Sequence, residues 1–261
     1  MSTAERALWD RLRAHTRSRI GLGRAGDALD AAAVLDLAAA HAAARDAVHS
    51  AVDTEVLVAQ LADAGFGAVP TVCSQAPDRS TYLRRPDLGR QPEDLSALAK
   101  TNPDVAIVIC DGLSARAVTD HAVPMALALR DALTAAHRGP KGEGPKVDVV
   151  VATQARVALG DHVAAALGAT SVVVLVGERP GLSVADSLGA YLSYRPRPGM
   201  ADSERNCVSN IHPPDGLGYQ RAAEIVAALL AGARELGRSG VDLKDTSADA
   251  LAAANESTPL C

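Results

Sequence analysis

"SVVVLVGERPG", residues 171–181, sets five aliphatic side chains in an unbroken run and then stops on a glycine, a glutamate, an arginine and a proline. A short β-branched run bounded by turn residues reads as a strand covered on both faces, because a half-exposed strand would alternate apolar with polar. Two earlier runs have the same character. "VAIVI" (105–109) precedes a helical pattern from Ser114 to His137, and "VDVVVA" (147–152) precedes one near 157–167. Runs of this kind alternating with helices predict an α/β fold, a Rossmann-like parallel sheet flanked by helices. Such sheets bind ligands beyond the carboxyl ends of their strands, near a topological switch point. The loops to examine are therefore 110–114, 152–157 and 177–216, the last read as one long polar excursion.

Working outward, residues 1–67 read as an N-terminal helical segment. Ser2 and Glu5 fit a capping box, and Ala4, Leu8 and Leu12 recur at helical spacing. Two further helices follow over 28–52, which is alanine-rich, and 54–66. Residues 68–104 carry five prolines and read as an irregular connector with a short helix near 93–99. The α/β unit proper spans 105–245 and closes with a long helix over 217–236. Residues 246–261 read as a weakly structured tail.

The 261 residues suffice to bury roughly 70–75% of the unfolded surface. Aromatic residues are only 2% of the chain, so the core must be built from Ala, Val and Leu. A net charge of −5 argues against nucleic acid or an anionic membrane as the main partner. Charged residues in 1–15 stand where a signal peptide needs an apolar core, and no run reaches the ~20 apolar residues of a membrane span. Four cysteines, Cys73, Cys110, Cys207 and Cys261, lie far apart with no C-x-x-C pair, which fits reduced thiols in an intracellular protein.

Individual motifs point in several directions. "GLGRAG" (21–26) matches G-x-G-x-x-G, but a dinucleotide fingerprint must follow a strand, and "RAHTRSRI" before it is basic and polar. A turn packed against a neighbouring element is the simpler reading. "GPKGEGPK" (139–146) has Pro145 where a P-loop needs lysine, and reads as a connector. The seven histidines offer no metal-ligand spacing. Asp111 and Ser114, in "CDGLS", read as turn and cap residues because the G-x-S-x-G elbow is missing. Glu178 sits just past an apolar strand, at the mouth of the sheet. It would either accept from the hydrogen-bond donors of a ligand or pair with an arginine nearby. Cys207 lies in polar "ERNCVSN", an unusual setting for a residue that prefers the core. Val157 opens the helix after the second strand, where free N–H groups face outward.

The chain resembles the small subunit (light chain) family of ethanolamine ammonia-lyase. The stretches that carry the resemblance are "SRIGLGRAG" (18–26), "YLRRPDLGR" (82–90), "VICDGLSARAV" (108–118), "VGERPGLSVADSLGAYLSY" (176–194), "ERNCVSNIHPP" (204–214) and "SGVDLKD" (239–245). They cover most of the chain in the family's order. The resemblance implies a subunit of an adenosylcobalamin-dependent enzyme that converts ethanolamine to acetaldehyde and ammonia. It also implies that the catalytic residues belong to a large subunit, so none is assigned here. The family's coenzyme contacts match Val157, Glu178 and Cys207. No D-x-H-x-x-G stretch offers a lower cobalt ligand, so the coenzyme is expected base-on. The implied assembly is a hetero-oligomer of paired, then trimerised, heterodimers. The implied location is a bacterial microcompartment, with the cytoplasm as alternative. Read without the resemblance, the chain is also compatible with a nucleotide-binding oxidoreductase using "GLGRAG", or with a non-catalytic scaffold.

Overall fold

The computed structural model describes residues 3–136 and 144–244. The tail 246–261 and most of the 139–146 connector lie outside the described residues. Helix α1 (Thr3–Arg13) is followed by a two-stranded hairpin, β1 (Arg24–Ala25) and β2 (Ala28–Leu29). The second half of "GLGRAG", Arg24 to Gly26, folds into this hairpin. Gly26 has φ 65°, the left-handed value a tight turn asks of glycine. Gly21 packs directly on the Trp9 indole, so the motif is a turn against α1 and opens no nucleotide-binding unit.

Helices α2 (Ala31–His49) and α3 (Thr54–Leu61) are each capped by an aspartate, Asp30 and Asp53, whose side chains accept from the N–H groups of Ala33 and Val56. The segment expected to be an irregular connector holds β3 (Thr71–Cys73) and α4 (Arg79–Arg84). The expected helix near 93–99 is not formed. There the chain runs back beside β3 instead, with Glu93 N–H on the Cys73 carbonyl and Gln75 N–H on that of Gln91.

The predicted α/β core follows: β4 (Val105–Cys110), α5 (Ala115–Ala136), β5 (Val147–Thr153), α6 (Leu159–Leu167) and β6 (Ser171–Gly177). Two strands then appear inside the excursion that was read as a loop, β7 (Leu188–Tyr194) and β8 (Asn206–Ile211), before α7 (Tyr219–Leu236). The six-stranded sheet has the order β3-β5-β4-β6-β7-β8. Its first four strands are parallel, and β7 runs antiparallel to both neighbours. The sheet is therefore mostly parallel, with a mixed edge that the sequence reading missed. Edge strand β8 is polar for a physical reason. Val208 and Ile211 face inward while Cys207, Ser209 and Asn210 face solvent, so no continuous apolar run marks it.

Two cores result. On one face, Val105, Ile107 and Ile109 of β4 pack with Met125 and Leu129 of α5 and Val226 and Leu230 of α7. On the other, Ala106, Val108 and Cys110 pack under Leu159 and Val163 of α6. Because α5 and α6 leave the adjacent strands β4 and β5 toward opposite faces, the carboxyl ends of these strands form the switch point where such folds open a crevice.

The carboxyl ends of β4 and β6 touch almost backbone to backbone. A Cβ on Gly177 would stand 2.0 Å from the Ser114 carbonyl oxygen, and one on Gly112 would stand 2.3 Å from the Gly177 oxygen. The Leu113 N–H donates to that same Gly177 carbonyl at 2.9 Å. Replacement of Gly177 by Ala must push rigid backbone apart. We expect it to lower unfolding stability by about 2–3 kcal/mol, read as a reduced urea midpoint at unchanged slope.

Candidate functional site

Three loops meet at the carboxyl end of the sheet. Asp111, directly after β4, is buried and reaches across to β5, where its two carboxylate oxygens accept from the N–H groups of Gln154 and Ala155 at 2.9 Å each. Burial pushes its pKa up, against the pull of those N–H groups and of Arg79 at 3.6 Å. Ser114 caps α5 through the Ala117 N–H and also donates to the Ala185 carbonyl. Ser114 is thus the cap residue it was read to be, whereas Asp111, read as a turn residue, bridges from β4 to the backbone past β5.

These loops enclose a hollow of about 470 Å³ lined by Tyr82, Gly112, Leu113, Arg156, Val157, Val176, Gly177, Glu178, Arg179 and Tyr191. A second hollow of about 250 Å³ adjoins it, sharing Arg156, Val157 and Tyr191 and adding Arg90, Ala158, Asp202, Arg205 and Cys207. All three residues singled out in the sequence therefore open onto one continuous face. Glu178 lines the first hollow, Cys207 the second, and Val157 both.

Their local settings differ from the sequence reading in two respects. Val157 does not open the helix; it lies in the turn before α6, which starts at Leu159. Among the described residues, no hydrogen bond engages the N–H groups of Val157 or Ala158. Cys207 is not in a loop. It is the second residue of β8, exposed, and directly opposite Tyr191 of β7. Backbone pairing at the sheet edge fixes its position more firmly than a loop would.

For Glu178 the two readings can now be separated. Among the described residues, no ion pair to Arg179 or any other arginine forms. One carboxylate oxygen accepts from the Ser187 hydroxyl and, at 3.3 Å, from the Asn210 N–H. The other oxygen has no hydrogen-bond partner among the described residues, and Gly189 beside it leaves it room: a Cβ there would be 3.0 Å away. The carboxylate is held from below with acceptor capacity to spare.

Two features of the site were not found from sequence. Tyr191 and Tyr82 both line it, and neither stands in a pattern that announces a site. Arg205, from "ERNC", is buried under the second hollow, where it bonds Asp161 of α6 at 2.7 Å and the Met200 carbonyl at 2.8 Å. Burial raises the Asp161 pKa, and the facing guanidinium opposes the rise. This pair ties α6 to the start of β8, and so holds the Val157 turn and Cys207 in one frame. Among the described residues, no three His, Cys, Asp or Glu side chains group as metal ligands would.

The comparisons agree on one family. The ethanolamine ammonia-lyase light-chain family matches residues 6–244. The chain is 56% identical over 246 residues to an ethanolamine ammonia-lyase small subunit of Rhodococcus erythropolis, covering 94% of this chain and 93% of that one. It is 51% identical over 245 residues to the small subunit of Bradyrhizobium diazoefficiens, covering 91% and 90%. It is 46% identical over 246 residues to that of Pseudomonas syringae pv. tomato, covering 91% and 83%.

The electrostatics of the face give a direct test. Loss of water around the sulfur pushes the Cys207 thiol pKa up although the residue as a whole is exposed; the hydrogen bond shared with the Tyr191 hydroxyl opposes the rise, and the negative Glu178 adds to it. A raised pKa means that the thiolate forms at higher pH. Alkylation of Cys207 by iodoacetamide, followed by peptide mass spectrometry, should have its midpoint above that of an ordinary cysteine thiol. Glu178→Gln should move that midpoint down, and a midpoint that stays put would contradict the charge coupling.

Proposed function

The chain belongs to the ethanolamine ammonia-lyase light-chain family, and from that premise we propose that it holds adenosylcobalamin on the face formed by Val157, Glu178 and Cys207. The observation that carries this reading is the convergence of those three residues on two adjoining hollows at the carboxyl edge of the sheet. The chemistry of the face fits the group. A corrin is rimmed with carboxamides, which need both acceptors and donors. Glu178 offers a free carboxylate oxygen, and the turn at Val157 and Ala158 offers unengaged N–H groups. The Cys207 thiol, held protonated, adds a weak donor at the sheet edge. When bound, the coenzyme supplies the carbon-centred radical that abstracts hydrogen from ethanolamine.

This chain's part is to bind and orient. Glu178, braced by Ser187 and Asn210, would hold part of the group's rim, with Val157 and Cys207 beside it. No catalytic residue is assigned to it. The relatives' names as small subunits imply a large-subunit partner, and the resemblance supplies the rest of the proposal. The large subunit completes the coenzyme site and acts on ethanolamine, with heterodimers that pair and then trimerise. The coenzyme keeps its own base on cobalt. Residence in a bacterial microcompartment belongs to the same proposal, supported by amphipathic α1, whose Leu8 and Leu12 are exposed.

The test uses the complex assembled with the large subunit. Glu178→Ala should weaken the apparent affinity for adenosylcobalamin by roughly 1.5–3 kcal/mol, the worth of a hydrogen bond to a charged group. Ammonia release from ethanolamine at saturating coenzyme should be unchanged. An unaltered coenzyme affinity would leave this chain a scaffold and remove the proposal.

A further inference from the structure

Tyr82 lies outside the α/β core in sequence, yet it is 1% exposed and walls the first hollow. Every part of it is engaged. The guanidinium groups of Arg79 and Arg156 both lie over its ring, 4.9 and 4.7 Å from the centroid. Its hydroxyl donates to the Ala155 carbonyl at 3.2 Å, and its own carbonyl accepts from Arg156 Nη2 at 3.3 Å. Burial pushes the phenol pKa well above its ordinary value, so the hydroxyl keeps the proton it donates.

The same segment grips the next residues of the turn. The Arg156 N–H donates to the Gly89 carbonyl at 2.8 Å. Gly89 must be glycine for this to work, since a Cβ there would be 2.9 Å from the Tyr82 ring and 3.2 Å from Arg156 Cγ. Arg79 anchors the far side by donating to the carbonyls of Val48 and Gly112 at 2.7 Å each.

These contacts leave polar groups buried and unpaired. Arg156 Nε, Arg79 Nη2 and the Gln154 side-chain oxygen have no hydrogen-bond partner among the described residues. Gln154 also holds a left-handed backbone, φ 50°. Residues 154–157 are thus kept in a conformation that costs hydrogen bonds and backbone strain, held by Asp111 at the Gln154 and Ala155 N–H groups and by 79–90 at the Ala155 carbonyl and the Arg156 N–H. A chain settling only for stability would relax such a turn.

We propose that Tyr82 is a positioning residue for the coenzyme face: its stacked ring and its hydroxyl lock the Ala155–Val157 turn, so that Val157 meets the ligand pre-organised. This rests on the functional reading above. It explains why "YLRRPDLGR", which touches the face mainly through Tyr82 and Arg90, is bound so closely to it. The energetic logic is pre-organisation: a turn already fixed does not have to be ordered when the ligand arrives.

The assembled complex provides the test, by titrating adenosylcobalamin and measuring ammonia release at saturation. Tyr82→Leu removes both stack and hydroxyl and should weaken coenzyme binding by about tenfold. Tyr82→Phe keeps the stack and should stay within about threefold of the parent. Gly89→Ala, which presses on ring and turn without removing either, should fall between them. A purely structural Tyr82 would lower the yield or melting temperature of the complex and leave coenzyme affinity intact, and that outcome in both Tyr82→Leu and Gly89→Ala overturns the proposal. If Tyr82→Leu does not assemble, Gly89→Ala alone decides. Glu178→Ala separates the two ideas. Weakened binding there with none in the Tyr82 and Gly89 variants defeats only the positioning role, whereas unchanged binding in Glu178→Ala defeats the coenzyme reading beneath it.

Discussion

The closeness of three parallel strands at their carboxyl ends governs this structure. Strands β5, β4 and β6 end together, and the backbone groups released there have no sheet partners. Each must be satisfied within a space barely wider than the chain. Glycine supplies the space at 112 and 177. Asp111 supplies the acceptors, spanning from β4 to two N–H groups past β5. Arg79 closes the circuit on the Gly112 carbonyl. A carboxylate buried this deeply is costly to desolvate, so the turn after β5 has little freedom to shift without stranding it. The rigidity of the loop region rests on that anchor together with the contacts that Tyr82 and Gly89 make to Ala155 and Arg156.

The mixed edge solves a different problem. If the sheet ended at β6, that wholly buried strand would expose an open row of amide groups. Antiparallel β7 covers it with buried Leu188, Ala190 and Leu192, and β8 then forms a polar rim. The rim is not left to drift. Arg205 enters the protein just before β8 and meets Asp161 beneath α6, so strand edge and helix start move as one body. A buried ion pair of this kind adds little net stability but penalises any geometry that separates its partners. Its value here is registry: it keeps Cys207 opposite Tyr191 and alongside the Val157 turn.

Legibility from sequence followed from burial. Strands covered on both faces write themselves as unbroken aliphatic runs, so β4, β5 and β6, the helices between them and the loops at their carboxyl ends were readable. Elements whose apolar run is interrupted or whose burial is one-sided left weaker traces. In β7 the apolar pattern is broken by Tyr191 and Ser193; in β8 only Val208 and Ile211 face inward; β3 has three residues, of which Val72 alone is buried. All three were read as loop or connector. The site shows the same split. Glu178 was conspicuous because a charge followed an apolar run, and Cys207 because a thiol stood among polar residues. Tyr82 was not, since its role arises from contacts with residues more than seventy positions away. The arginine alternative for Glu178 could not be settled from sequence either, because Ser187 and Asn210 reach it only through the fold of β7 and β8.

Taken together, the rim is better suited to half a site than to a whole one. Glu178 is only half-buried and Cys207 is exposed, and both hollows open outward along a shared border. A self-sufficient pocket usually buries most of its ligand and draws its polar groups inward from several sides. Here the fixed groups lie on one side, on rigid elements, with their backs hydrogen-bonded and their fronts free. An open, rigid rim gains little by itself, because a ligand held on one side keeps most of its surface in water. It becomes effective when a second surface closes over the ligand, since the ordering cost on this side has already been met during folding. On the proposed reading, that is the physical sense of placing coenzyme contacts on a small subunit: folding would prepare one wall, and association with a large subunit would turn the wall into a site.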